Sequence, residues 1–134
     1  MASELYEQGL KIRKDVLGAE HVERTLSNVD EFSRPYQGIM TAYCWGAIWG
    51  REQLPRKTRS LLNLAMLTAL GREDEFKLHV RGAINNGVTK DEIREVLLQA
   101  MMYCGVPAAN SAFKQAREVF AAMECEGDKP TAAT

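Results

Sequence analysis

FKLHVRGAINNGVTKDEIREVL, residues 76–97, decides the fold class. Phe76, Val80, Ala83 and Ile84 recur at helical spacing, Asn86-Gly87 breaks the run, and Thr89-Lys90-Asp91-Glu92 has the form of a capping box. In such a box the threonine hydroxyl and the glutamate carboxylate satisfy two backbone N–H groups that a helix start leaves orphaned. From Ile93 the apolar positions resume in steps of three and four. The stretch therefore predicts two helices joined by a short turn, with no strand alternation between them.

The same pattern extends in both directions. Downstream, the stripe Ile93, Val96, Leu97, Ala100, Met101 and Cys104 runs to Gly105, and Pro107 opens a last helix with Ala109, Ala112, Phe113, Ala116 and Phe120 inward. Upstream, Leu54-Pro55 starts a helix from Arg56 to Leu70 that is apolar nearly all round beyond its first turn and is expected at the centre, with Gly71 closing it. Before it, a helix over about 32–50 carries a broad apolar face of Tyr36, Ile39, Met40, Tyr43, Cys44, Ala47 and Ile48. Trp45 and Trp49 lie on another side, with Gly38 and Ala42, which suggests a pocket wall, a subunit contact or packing under a neighbouring loop. Residues 3–17 and 19–28, broken at Gly18, read as a polar, peripheral first pair. The expectation is an all-α single-domain bundle of six to seven helices, divided into a helical arm over 1–29, the domain proper over 30–123 and a disordered tail over 124–134.

A chain of 134 residues with 46% hydrophobic content can bury one sizeable core. Seventeen basic against eighteen acidic residues leave a formal charge of −1, so no global field favours nucleic acid or an anionic membrane, and a small molecule or a protein is the expected partner. Met1-Ala2-Ser3-Glu4 reaches charge without an apolar leader segment, and no stretch approaches the roughly 20 apolar residues of a membrane span. A soluble cytoplasmic protein is expected. Cys44, Cys104 and Cys125 form no C-x-x-C pair, which fits reduced thiols. Cys44 and Cys104, inside apolar stripes, are expected to be small buried hydrophobes.

Of two histidines, His21 lies in a polar region, whereas His79 sits mid-helix beside an apolar stripe, where desolvation tunes an imidazole for proton transfer. The alternative for His79 is a hydrogen-bonded histidine at a domain or subunit boundary. Arg56, Arg59, Arg72 and Arg81 gather around the same helix pair, and guanidinium suits a carboxylate. Glu73, Asp74 and Glu75 close by make a solvated, ion-paired helix end the competing reading. Two isolated histidines without a cysteine cluster predict no metal site. Neither G-x-x-x-x-G-K nor G-x-G-x-x-G occurs.

The segments Leu54-Pro55-Arg56-Lys57-Thr58-Arg59-Ser60-Leu61-Leu62, Leu78-His79-Val80-Arg81-Gly82-Ala83-Ile84-Asn85-Asn86-Gly87-Val88-Thr89, Glu92 to Gln99 and Tyr103-Cys104-Gly105-Val106-Pro107-Ala108-Ala109-Asn110 resemble the core of the carboxymuconolactone decarboxylase family. The similarity runs from about Asp30 to Phe120. It implies the alkylhydroperoxidase-D-like helical fold and assembly as a homo-oligomer, a trimer or hexamer. The family's thiol branch carries C-x-x-C four residues before the histidine and a glutamate about twelve residues earlier. With His79 as that histidine, the thiol positions fall at Arg72 and Glu75 and the glutamate position at Ser60. The resemblance therefore implies decarboxylation of gamma-carboxymuconolactone in aromatic catabolism, without a cofactor. A peroxide-reducing role or a non-catalytic anion-binding module are the alternatives.

In the implied reaction His79 delivers a proton to carbon, and Arg56 and Arg81 hold the carboxylate of the substrate. Trp45 supplies an apolar wall and Tyr103 a hydroxyl. Arg81 lies about 140° round the helix from Phe76 at 100° per residue, so it reaches a site only if another helix or subunit supplies the facing wall. The Trp45/Trp49 side and the small-residue face of the last helix are the surfaces expected between subunits.

Overall fold

Gly9 and Gly46 let two helices of the chain approach backbone to backbone. In the computed structural model, which describes residues 3–127, a Cβ on Gly9 would meet the Thr41 carbonyl, and one on Gly46 would lie 2.6 Å from the Leu5 carbonyl. Glycine alone fits either position. The helices so joined are α1 (Ser3–Leu17) and a π-helix (Met40–Ile48) that continues the short α3 (Arg34–Ile39); α2 (Ala19–Ser27) packs back on α1. Ile12, Val16, Leu17 and Val22 are buried in this assembly, so the first helix pair is internal packing rather than the periphery expected from its polarity.

The described residues form two compact units, divided between residues 59 and 60. Helix α4 (Arg56–Leu70) leads from the first into the second, followed by α5 (Glu73–Asn85), α6 (Lys90–Cys104) and α7 (Val106–Gly127). All regular structure among the described residues is helical, as expected. In the second unit Leu64, Phe76, Val80, Ala83, Ile93 and Leu97 close on Ala112, Ala116 and Val119. The capping box forms as read: Thr89 Oγ1 accepts from the Glu92 N–H at 3.1 Å, and Glu92 Oε1 accepts from the Thr89 N–H at 2.9 Å. Gly87, at φ 91°, takes the left-handed backbone that the preceding turn needs.

Four expectations change. On residues 36–49 the buried side is Thr41, Ala42, Trp45, Gly46 and Trp49, whereas Tyr36, Ile39, Tyr43, Cys44 and Ile48 are exposed. The π-helix bonds i to i+5 and widens each turn, and the two glycines draw the small-residue side against α1. On α4 only Ser60, Leu64 and Thr68 are buried, leaving Leu62, Met66 and Leu70 on an exposed apolar stripe. All three cysteines are free and exposed. Finally, residues 124–127, expected to begin the tail, are the last turn of α7, where Glu124 pairs with Lys90 and Glu126 with Arg81. The rest of the expected tail, residues 128–134, lies outside the described residues. No helix among those described is long and apolar enough to cross a membrane.

Candidate active site

Helix α5 buries Phe76, Val80 and Ala83 and carries His79 on the margin of that face, half-buried. Helix α4 lies alongside it through two side-chain hydrogen bonds. Asn86 Nδ2 donates to the buried Ser60 hydroxyl at 2.9 Å, and one turn along α4 the Asn63 amide meets His79 Nδ1 at 3.4 Å. With the amide NH2 as donor, Nδ1 accepts, an arrangement that favours the ring proton on Nε2. Burial pushes the His79 pKa down to about 4, with Glu75 one turn earlier partly offsetting it. The ring is therefore neutral at pH 7. An approaching anion reverses that balance, because an opposite charge favours the protonated form.

The other expected site residues are dispersed. Arg81 donates through Nη1 and Nη2 to the two carboxylate oxygens of Glu126, each at 2.8 Å. Arg56 rests 3.4 Å from Asp15 in an exposed pair. Trp45 is buried in the first unit, stacked on Trp49 with ring centroids 4.9 Å apart. Tyr103 is exposed near the C-terminal end of α6. Asn63 was not anticipated, although an amide inside Leu61-Leu62-Asn63-Leu64 is a polar residue in an apolar run and marks itself as a group with a partner.

The positions that a dithiol chemistry would need hold other groups. Ser60 is occupied with Asn86, Arg72 stands at the N-cap position of α5 without a side-chain capping bond, and Glu75 lies in its first turn. Among the described residues no three histidine, cysteine, aspartate or glutamate side chains gather as a metal ligand set would require.

The profile of the Carboxymuconolactone decarboxylase family matches residues 34–118. The chain is 50% identical over 115 residues to a 4-carboxymuconolactone decarboxylase of Acinetobacter baylyi, covering 86% of both chains. It is 51% identical over 104 residues to a nitrosuccinic acid decarboxylase of Metarhizium robertsii, covering 78% of this chain and 73% of the relative.

Proposed function

Because the chain belongs to the carboxymuconolactone decarboxylase family, we propose that it is a carboxy-lyase that needs no cofactor and takes a succinate activated beside its departing carboxylate. Both substrates named by the two relatives have this skeleton. In 4-carboxymuconolactone, which is the gamma-carboxy lactone, one ring carbon bears the lactone oxygen, a carboxylate and a CH2-carboxylate arm. Nitrosuccinate bears the nitro group and one carboxylate on the same carbon, next to CH2-carboxylate. A retained acetate arm and an adjacent electron sink are common to both. The lactone is the preferred substrate in this reading, as the similarity to the enzyme named for it spans the larger share of both chains.

The chemistry balances without an added group. The departing carboxylate leaves as carbon dioxide, and its C–C bonding pair moves through the ring alkene onto the lactone carbonyl oxygen. The resulting dienolate takes a proton at the carbon next to that carbonyl, restoring the lactone as its enol form. His79 supplies that proton after the dianion has raised its pKa, and the imidazole is recharged from solvent. Arg81, in the same unit as His79, is the proposed carboxylate ligand, and it must first release its bidentate pair with Glu126. Tyr103, also in that unit, is proposed as a hydroxyl donor. The observation that carries the reading is a half-buried, neutral imidazole set by Asn63, in a chain half identical to a named decarboxylase.

Purified protein offered 4-carboxymuconolactone and nitrosuccinate in parallel, with carbon dioxide and enol-lactone or 3-nitropropanoate followed, tests it. His79→Ala should lower kcat by about 10²- to 10⁴-fold while the protein stays folded. Retention of more than about half the activity per folded subunit would exclude the proton-donor role. Thiol-dependent peroxide turnover that disappears on removing the cysteines would favour the peroxidase alternative instead.

We also infer assembly as a homo-oligomer. The features first expected between subunits are internal: Trp45 and Trp49 are buried in the first unit, and Ala109, Ala112 and Ala116 in the second. The exposed apolar residues of the second unit include the stripe Leu62, Met66 and Leu70 on α4, with Leu98 and Met102 on α6. Apolar stripes of this kind mark association surfaces, and a second copy of the chain is the proposed occupant.

A further inference from the structure

Arg13 breaks the rule that a buried charge is paired. It occupies the face of α1 that also carries Gly9 and Val16, a position where an apolar residue would pack, yet it is only 5% exposed. Its Nη1 donates to Gln37 Oε1 at 3.1 Å and to the buried Thr41 Oγ1 at 3.0 Å. Both Nη1 hydrogens are thereby used on neutral acceptors. Nε, also buried, has no acceptor among the described residues.

Among the described residues, Tyr6, Tyr36, Cys44 and His21 bear on this guanidinium electrostatically, and no carboxylate is among them. By contrast Arg56, Arg81 and Arg94 each have a carboxylate partner. Burial draws the Arg13 pKa below its usual value, but a guanidinium stays protonated in proteins. The first unit thus holds a fixed positive charge with no carboxylate partner among the described residues.

Two of these side chains reach the surface: Tyr36 is 64% exposed and Cys44 is exposed. Thr41 and Cys44 both belong to the π-helix, a geometry that concentrates at functional sites. With Nη1 engaged, the donors left are Nε–H and Nη2–H. They lie side by side, the spacing that matches two oxygens of one carboxylate. A single edge of this kind suits a carboxylate better than a phosphate, whose three oxygens call for more donors.

We propose that Arg13, fixed through one nitrogen by Gln37 and Thr41, is a binding site for the carboxylate of a small organic acid, held bidentately on its Nε/Nη2 edge. The site is independent of the role assigned to His79.

Thermal unfolding of the full-length protein in rising succinate, at constant ionic strength made up with chloride, tests this. A saturable increase in the midpoint is expected, present also in His79→Ala. Arg13→Lys keeps the charge and loses the fork, and should weaken the apparent affinity about tenfold or more. In an Arg81→Met background, which lacks the arginine proposed for the substrate carboxylate, Arg13→Met should abolish the remaining response. Should the methionine variant fail to fold, the Arg13 Nε–H resonance of the wild-type protein gives a second readout, shifting on addition of succinate and not of chloride. The proposal is overturned if Arg13→Lys responds like wild type, if chloride alone raises the midpoint as much, if the response is lost in His79→Ala, or if the Nε–H resonance does not move.

Discussion

The amide nitrogen of Asn63 stands 3.4 Å from Nδ1 of His79, a contact between α4 and α5 that favours the proton on Nε2. Removing it in Asn63→Ala frees the tautomer, and kcat for decarboxylation should fall roughly tenfold, about 1.4 kcal/mol of barrier. Asn63→Asp acts differently: a carboxylate beside the ring accepts from Nδ1–H and favours imidazolium. The pKa governing kcat/KM in that variant should rise from about 4. Unchanged pH–rate profiles in both variants would remove Asn63 from the site.

His79 also links stability to pH. Its pKa is lowered on folding from 6.5 to about 4, so the unfolded chain binds the proton more readily between those values. The contribution is therefore full above pH 6.5, declines as the pH falls, and is gone below about 4. At most about 3 kcal/mol is involved. Urea midpoints from pH 7 to 4 should fall less steeply in His79→Gln. A residual slope of the same sign is expected from His21, whose pKa burial also lowers.

Gly9 and Gly38 should respond oppositely to one methyl group. At Gly9 the new Cβ collides with the Thr41 backbone, which cannot swing aside, so Gly9→Ala should cost 3 kcal/mol or more on the ~1–3 kcal/mol scale of overpacking. Gly38, inside α3, meets nothing within 4 Å. Gly38→Ala should stabilise by up to about 1 kcal/mol through helix propensity. Equal denaturant midpoints for the two variants would contradict the packing of α1.

Met66 and Met102 are 52% and 74% exposed. If they face a second copy, Met66→Glu or Met102→Glu should reduce the mass measured by light scattering and leave the helical circular dichroism intact. An unchanged mass in the double variant, or a wild-type protein already monomeric, would refute the association surface.

Much of the second unit was legible in residues 76–120. Its helices are regular, its apolar positions follow a 3.6-residue period, and its boundaries carry chemical signatures such as Thr89 with Glu92 and Gly105 before Pro107. The first unit was read with its faces exchanged. Buried Thr41, Trp45 and Trp49 repeat every four residues, a longer period than an α-helix has, and nothing in composition announces a π-helix. Burial there follows backbone approach at Gly9 and Gly46, which hydropathy does not register. His79 stands out in the sequence because an imidazole beside an apolar stripe is conspicuous. Arg13 was passed over because a cation in a polar helix looks like solvent-facing charge until the partner helix is in place.

The Trp45–Trp49 stack has a spectroscopic consequence. The chain has two tryptophans, both buried in the first unit, and none follows residue 59. Tryptophan emission therefore reports the packing of α1 on the π-helix, while ellipticity at 222 nm sums over both units. Coincident unfolding curves from the two signals would establish that the units melt as one cooperative body. An earlier emission transition would identify the region around Gly9 as the part that opens first, with the polypeptide supplying its own probe.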